Sequence, residues 1–383
     1  MPWHRKDVKS EKNDFIDDWL KHEFSHADLC KRYDISRPTG YELISRFQEE
    51  GRLAVEERSH ARHTTPNQTA SAIEDKLITL KHRYPSWGPA TIKAYLKAEE
   101  IPGAWPAVST IGEILKRHGL VKPRYKRKQA PAHSEPLRHC IESNGVWSAD
   151  FKGHFRLSSG KYCYPLTITD NYSRYLFLCQ GMDSPSCDKS MKCFEKVFRK
   201  YGLPQAIRTD NGQPFAGVGI GGLTRLSIWL LKLGIMPERI ERGCPEQNGR
   251  HERMHRTLKA ATIKPYAKSL IEQQTSFDKF IKEFNHQRPH QGLGGKRPAE
   301  VYQKSLREMP RKLMEVEYPD DHEVRKVRSS GEIQFAGKKY YVSELLHKES
   351  VGLEMIDEGR AILYYSKLKM GIIDARLDKI SRP

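Results

Sequence analysis

The chain lacks several features that would assign it early to a familiar class. It has no apolar run long enough to span a bilayer and no signal-peptide core near its start, so neither a membrane span nor export is expected. Its seven cysteines (Cys30, Cys140, Cys163, Cys179, Cys187, Cys193 and Cys244) form no Cys-x-x-Cys pair and no paired His/Cys spacing. That argues against a zinc finger or ribbon and fits reduced thiols in a cytoplasmic protein. No fixed-period repeat is evident. Acids are in deficit, with 66 Lys and Arg against 48 Asp and Glu, a formal net charge of +18 over 383 residues. An excess of this size fits a polyanionic partner through counterion release from phosphates, although charge alone does not separate DNA, RNA and acidic membranes.

What is present changes character along the chain. Residues 11–23 carry Phe15, Ile16, Trp19 and Leu20 at helical spacing. Ser25 is a good N-cap for a short helix from His26 to Tyr33, and Arg37 to Glu49 reads as the next helix, with Pro38 in its first turn. A helix, a tight connection and a second helix bearing Arg37, Thr39, Tyr41 and Arg46 fit a helix-turn-helix DNA-binding domain over 1–55, with a plain three-helix bundle as the alternative. A second helical unit over 68–122 is expected from the segments Ala70–Tyr84, Pro89–Glu99 and Ser109–His118, with Ser109 as N-cap. It reads either as a second DNA-binding domain or as a packing bundle. Between Lys116 and Lys128 there is no acid, and Pro123 and Pro131 argue for an extended basic linker over 123–139. Its Arg124, Lys126, Arg127 and Lys128 are candidates for phosphate contact.

From residue 140 the pattern becomes strand-rich. Val146–Leu157, Tyr162–Thr169 and Tyr175–Gln180 read as three strands, and Ser184-Pro185 as the start of a helix to Tyr201. A strand ending at Thr209, a helix Leu223–Leu233 and a strand Ile235–Ile240 follow, which predicts a mixed α/β sheet with helices packed on it. After Pro319, short alternating segments separated by Gly331, Gly337 and Gly359 suggest a small β-barrel over 320–383.

Three carboxylates stand out within the α/β region. Asp150 lies in the apolar run Val146-Trp147-Ser148-Ala149-Asp150-Phe151. Asp210 follows Ala206-Ile207-Arg208-Thr209 and precedes the turn pair Asn211-Gly212. Glu252 lies a few residues into a helix that opens near Pro245. Carboxylates brought together repel, and hard divalent cations relieve the repulsion while keeping positions for water and phosphate oxygens. His255, Arg256 and Lys259 follow Glu252 by three, four and seven residues, a spacing expected to put them on one helix face. A carboxylate trailed by a basic stripe suits metals at one end and DNA phosphates along the rest. The plainer reading is local salt bridging from Glu252 to Arg256.

Five segments in order carry a family resemblance. They are Trp147-Ser148-Ala149-Asp150, Thr169-Asp170-Asn171-Tyr172-Ser173-Arg174, Thr209-Asp210-Asn211-Gly212, Pro245 to Arg253, and Phe284 to Leu293 with Pro298 and Tyr302 beyond. Over residues 140–303 the chain resembles the catalytic domain of retroviral integrases and the related insertion-sequence transposases, the acidic-triad (DDE) polynucleotidyl transferases. The resemblance implies a ribonuclease-H-like integrase core, which the all-α units read above would precede and the small barrel would follow. It implies Asp150, Asp210 and Glu252 as catalytic metal ligands for two Mg²⁺ or Mn²⁺ ions, with Asp150 shared, and Glu252 rather than Glu246 as the third acid. Asp170 is then a turn residue, as Asn171 and Ser173 beside it suggest. The implied activity is a DNA transposase that binds the terminal inverted repeats of its element, nicks the ends and transfers the 3′-hydroxyl to target DNA. The alternative is a catalytically inactive DNA-binding regulator derived from one. The implied partner is double-stranded DNA, at least a dimer is needed to join two ends, and the implied setting is the bacterial cytoplasm, associated with the nucleoid. Forty-one residues lie between Asp210 and Glu252, more than is typical of retroviral integrases. The His/His/Cys/Cys zinc unit of those enzymes is missing, which favours the bacterial transposase branch.

Overall fold

The computed structural model describes residues 8–56, 68–121, 140–151, 153–217, 219–241 and 244–381. The chain forms two compact units, residues 1–68 and 69–383. No helix among the described residues is long and apolar enough to cross a membrane.

The first unit contains α1 (Val8–Leu20), α2 (His26–Arg32) and α3 (Arg37–Glu50), closed by a 3₁₀ turn over Gly51–Val55. Ser25 accepts the Asp28 N–H and Ser36 the Thr39 N–H, so each helix start is capped where the sequence supplies a hydroxyl. Phe15, Ile16, Leu29, Leu43, Ile44 and Val55 make the core. Gly40 sits where α3 crosses α2; a Cβ there would come within 2.6 Å of the Cys30 sulfur, so the close approach needs glycine.

The second unit begins with α4 (Ser71–Arg83), α5 (Pro89–Ala98) and α6 (Val108–Arg117), packed around Leu77, Trp87, Ile92, Ile111 and Leu115. Helix α6 starts a residue earlier than expected, after Ala107, and Ser109 is not its cap. The sheet follows: β1 (Val146–Phe151), β2 (Phe155–Arg156), β3 (Tyr162–Asp170), β4 (Leu176–Met182), α7 (Cys187–Tyr201), β5 (Ala206–Thr209), α8 (Arg225–Lys232) and β6 (Met236–Arg239). The single strand expected over 146–157 divides into β1 and β2, and α7 opens after Ser186 rather than at Ser184-Pro185. A 3₁₀ turn over Pro245–Asn248 leads into α9 (Gly249–Thr262), and α10 (Leu270–His286) and the short α11 (Pro298–Val301) complete the layer.

The six-stranded sheet runs β2-β3-β1-β5-β6, with β4 also on β3. Strand β1 is antiparallel to β3 and parallel to β5, which is parallel to β6. Helices cover both faces. Trp147, Ile168, Phe194, Phe198, Ile207 and Leu230 pack on one, and Leu176, Cys179, Met254, Leu258, Phe277 and Phe280 on the other. That double cover explains why β1 is buried almost throughout rather than alternating.

The carboxyl-terminal region contains β7 (His322–Lys326), β8 (Glu332–Phe335), β9 (Lys338–Tyr341), β10 (Ser350–Asp357), β11 (Arg360–Tyr365), β12 (Leu368–Asp374) and β13 (Lys379–Ser381). Five of these form the antiparallel sheet β13-β12-β11-β10-β7, and β8-β9 is a separate hairpin. The hairpin and sheet share a core that also takes in Leu223, Ile228 and Leu231 at and around α8. The glycine-rich stretch before α8 is docked there as well: a 3₁₀ turn over Ile220–Gly222 packs against β12, and Arg239 donates to the carbonyls of Gly221 and Gly222.

Candidate active site

Strand register brings the first two carboxylates together. Ser148 pairs with Arg208 across the parallel β1–β5 ladder. Asp150 lies two residues beyond Ser148 and Asp210 two beyond Arg208, so the register carries both to the same end of adjacent strands. Such strand ends are where polar groups meet substrate in α/β sheets. The turn after β5 fixes Asp210: its Oδ1 accepts the Gly212 N–H at 3.0 Å, and Asn211 Nδ2 donates to the Ile240 carbonyl. A Cβ at Gly212 would sit 3.1 Å from Asp210 Oδ2, so this turn has little room for a side chain.

A buried polar network holds α9 over β1 and β3. Asn171 Nδ2 donates to Ser148 Oγ, and Ser148 Oγ donates to Asn248 Oδ1 at the start of α9. Further along, Thr167 Oγ1 lies 2.8 Å from His251 Nε2 and 2.6 Å from His255 Nε2, and donates to the Asp150 carbonyl at 3.1 Å. Thr169 Oγ1 lies 2.8 Å from His251 Nδ1. One proton assignment satisfies these groups: both imidazoles donate from Nε2 to Thr167, and Thr169 donates to His251 Nδ1. His255 Nδ1 then faces Asp150 Oδ2 at 3.7 Å. Asp150, His251 and His255 bring potential ligand atoms within 4.8 Å of one another; Asp210 and Glu252 do not join that group at this distance.

Helix α9 divides sharply by face. His251, Met254, His255 and Leu258 are buried, whereas Glu252, Arg253, Arg256 and Lys259 are exposed. The expectation that His255 lies on the basic DNA-facing stripe is therefore corrected: its ring is wholly buried against Thr167. Three residues make 300° of helix, enough to carry position 255 from the exposed edge onto the sheet. Arg256 and Lys259 remain on the open side beside Glu252. Arg208 is a further buried charge, paired with Glu238 at 3.1 Å and reaching the Gln247 carbonyl.

Asp170 is a turn residue, wholly internal, taking the Ser173 N–H and hydroxyl on Oδ2 and the Asn144 N–H on Oδ1; burial holds its carboxyl above the usual range. The carboxyl-terminal motif residues also stitch the fold. Asn285 bonds both the N–H and the carbonyl of Leu176, and Tyr302 stacks on Tyr175 and reaches Asn144. The helical bundle α4–α6 is tied to α10 and its extension by Trp87 Nε1 to Glu283, Tyr84 to Gln287 and Arg288 to Ser86.

In the first unit Arg37, Thr39 and Tyr41 are exposed, with Tyr41 stacked on His26. Arg46 is half-buried and donates to the Glu56 carbonyl. The linker residues Arg124, Lys126, Arg127 and Lys128 and the side chain of Glu246 lie outside the described residues. The network residues His251, Thr167 and Thr169 were missed in the sequence, although two histidines four apart and two threonines two apart are the spacing by which a helix face meets a strand face.

Residues 142–245 and 233–298 match two family models, each described as an integrase core domain. Over 240 residues the chain is 24% identical to the uncharacterized 31.7 kDa protein of insertion element IS407 from Burkholderia multivorans, covering 61% of this chain and 82% of that one. It is likewise 24% identical over 254 residues to the uncharacterized 39.2 kDa protein of insertion element IS476 from Xanthomonas euvesicatoria, covering 65% and 70%. Among solved structures, it is similar to the HTLV-2 integrase catalytic core domain in complex with magnesium, at 15% identity over 43% of this chain and 99% of that chain, with a TM-score of 0.34. The matched segments include Asp150, Asp210 and Glu252.

Proposed function

We propose that this chain, which belongs to the insertion-sequence transposases of the retroviral-integrase-like superfamily and carries their ribonuclease-H-like core, binds the ends of its element, nicks them and transfers each 3′-hydroxyl to target DNA. The observation that supports the reading is the β1–β5 register, which carries Asp150 and Asp210 toward the same end of adjacent strands within the matched core. Oxygen-only carboxylate donors at a strand end suit Mg²⁺ or Mn²⁺. Asp150 and Asp210 would hold one ion, and Asp150 with Glu252 the other. Two such ions, when bound, polarise the phosphate and stabilise the attacking and leaving oxygens of a phosphoryl transfer.

The chain's own groups orient and hold. Thr167, held by His255, donates to the Asp150 carbonyl and so supports the backbone that carries this carboxylate. Arg256 and Lys259, exposed beyond Glu252 on α9, offer guanidinium and ammonium groups to the DNA backbone. Arg37, Thr39 and Tyr41 on α3, with Arg46 behind them, would read element ends, and the basic linker would add phosphate contacts. Because each of two ends needs an active site, the working form is at least a dimer on DNA.

The test is strand transfer of a labelled oligonucleotide carrying the element's end into plasmid DNA, with Mg²⁺, with EDTA and with Glu252→Gln. Joined product that requires Mg²⁺ and disappears in Glu252→Gln is the expected result. Specific binding of the ends with neither nicking nor joining, in Mg²⁺ or Mn²⁺, would replace this reading with a DNA-binding regulator.

A further inference from the structure

A second basic site lies where the end of β3 meets α9 and the helical bundle. A cavity of about 530 Å³ opens between α5 and α6 on one side and the β3–β4 turn, α9 and the segment after α10 on the other. Five arginines line it: Arg174, Arg250, Arg253, Arg256 and Arg288. The carboxylate in its wall, Asp170, is already engaged by Ser173 and Asn144. Three of the arginines donate to neutral acceptors, with the Glu283 carboxylate near Arg288. Arg174 and Arg250 both donate to the Asn171 carbonyl, which draws two guanidinium groups to one oxygen, and Arg288 donates to the Ser86 hydroxyl. Arg174 is held at φ 65°, in the left-handed region. Burial, with Arg250 and Arg253 nearby, lowers the Arg174 guanidinium to about 10. Like charges gathered against desolvation are stabilised when an anion with several acceptor oxygens enters.

The rest of the wall limits what that anion is. Pro89 and Val108 from the helical bundle and Pro289 supply an apolar side, so the arginines face a cleft between two walls. A duplex presents its phosphates on a broad convex surface; a two-walled cleft of this volume matches one or two nucleotides of a single strand, phosphates on the arginines and sugar or base on the prolines. We propose that this arginine cavity binds single-stranded phosphodiester at the DNA end, holding a strand tail beside the active site. The inference rests on the transposase reading for the identity of its substrate and adds a site distinct from the three carboxylates.

The experiment uses the full chain and a fluorescently labelled five-nucleotide thymidylate, with a blunt duplex as control, read by anisotropy at fixed salt. Two variants probe charge and space separately. Arg253→Glu puts a carboxylate at an exposed position on α9; Val108→Trp fills the apolar side from α6 without changing charge. Thermal melting of both checks that they fold. Binding of the single strand at least tenfold weaker in both variants, with duplex affinity unchanged in Val108→Trp, is the expected result. Unchanged single-strand affinity in Val108→Trp overturns the cavity assignment, because a general basic surface would lose affinity only with Arg253→Glu. Equal loss of single strand and duplex in Val108→Trp overturns the single-strand assignment. Strand transfer by the wild-type protein, measured alongside, separates the two ideas: a chain that joins DNA but binds the oligonucleotide equally with and without these changes loses this proposal alone.

Discussion

His255 Nδ1 stands 3.7 Å from Oδ2 of Asp150, with the other ring nitrogen 2.6 Å from Thr167 Oγ1. The bond that reaches Asp150 from this buried imidazole runs through Thr167, whose hydroxyl takes the His255 N–H and donates to the Asp150 carbonyl at 3.1 Å. Groups that orient metal ligands in this way commonly change metal affinity or activity by about 10–100-fold when removed.

For that reason His255→Ala is expected to slow joining about 10–100-fold and to raise the Mg²⁺ concentration needed for half-maximal rate. The affinity for the DNA end stays as in the wild type, and His255→Asn recovers part of the loss. A fall explained entirely by lower melting temperature, with Mg²⁺ dependence unmoved, would reduce His255 to a packing residue.

Glu252→Gln removes one exposed charge and should change stability by no more than about 0.5 kcal/mol, while joined product vanishes. Denaturant melts and strand-transfer gels on the same preparation distinguish a lost ligand from a lost fold. Product that persists in this variant assigns the third ligand elsewhere.

Trp87 is fully buried and its indole N–H donates to Glu283 at 3.0 Å, tying the α4–α6 bundle to α10. Trp87→Phe leaves the shape nearly filled but strips a donor from an internal carboxylate, an expected loss of about 1–3 kcal/mol in urea unfolding. A loss no larger than that of an exposed substitution would mean that the bond contributes nothing to docking.

His290 is packed against Phe284, and burial followed by the Arg288 charge lowers its imidazole to about 4 from an ordinary 6.5. The unfolded chain therefore binds this proton first on acidification. Stability from His290 is present above 6.5, is lost as pH falls from there to about 4, and amounts to at most about 3 kcal/mol. Burial raises Asp170 and Glu283, which act in the opposite sense, so the comparison is made against His290→Leu. Between pH 7.5 and 5 the wild type should lose more stability than the variant; equal losses would rule the histidine out as the source.

Gly222 has φ 61°, and a Cβ there would lie 2.0 Å from Arg239 Nη1. Gly222→Ala should cost more than about 1 kcal/mol, since both the backbone and the Arg239 anchor must move. A neutral substitution would mean that the glycine-rich segment is not docked against β12 and Arg239 as described.

The sequence by itself determined the parts that depend on local chemistry and ordered motifs. Apolar runs bounded by turns marked β1, β3, β4 and β5; Ser25 and Pro38 marked helix starts; and five motifs in order marked the integrase core. Asp150 and Asp210 were legible because each sits at the end of such a run. Tertiary structure decided what local pattern does not contain. The parallel register of β1 and β5 carries the two aspartates toward the same end of adjacent strands, although sixty residues of chain separate them. The docking of α9 on β3 sends His255 inward and leaves Arg256 out, a choice that a seven-residue charge pattern leaves open. The arginine cavity draws on the β3–β4 turn, α9 and the segment after α10, faced by α5 and α6 from far upstream. Spacing along a chain fixes faces and ends of elements; which faces meet is settled by packing between elements, and both the carboxylate pair and the arginine cavity exist only there.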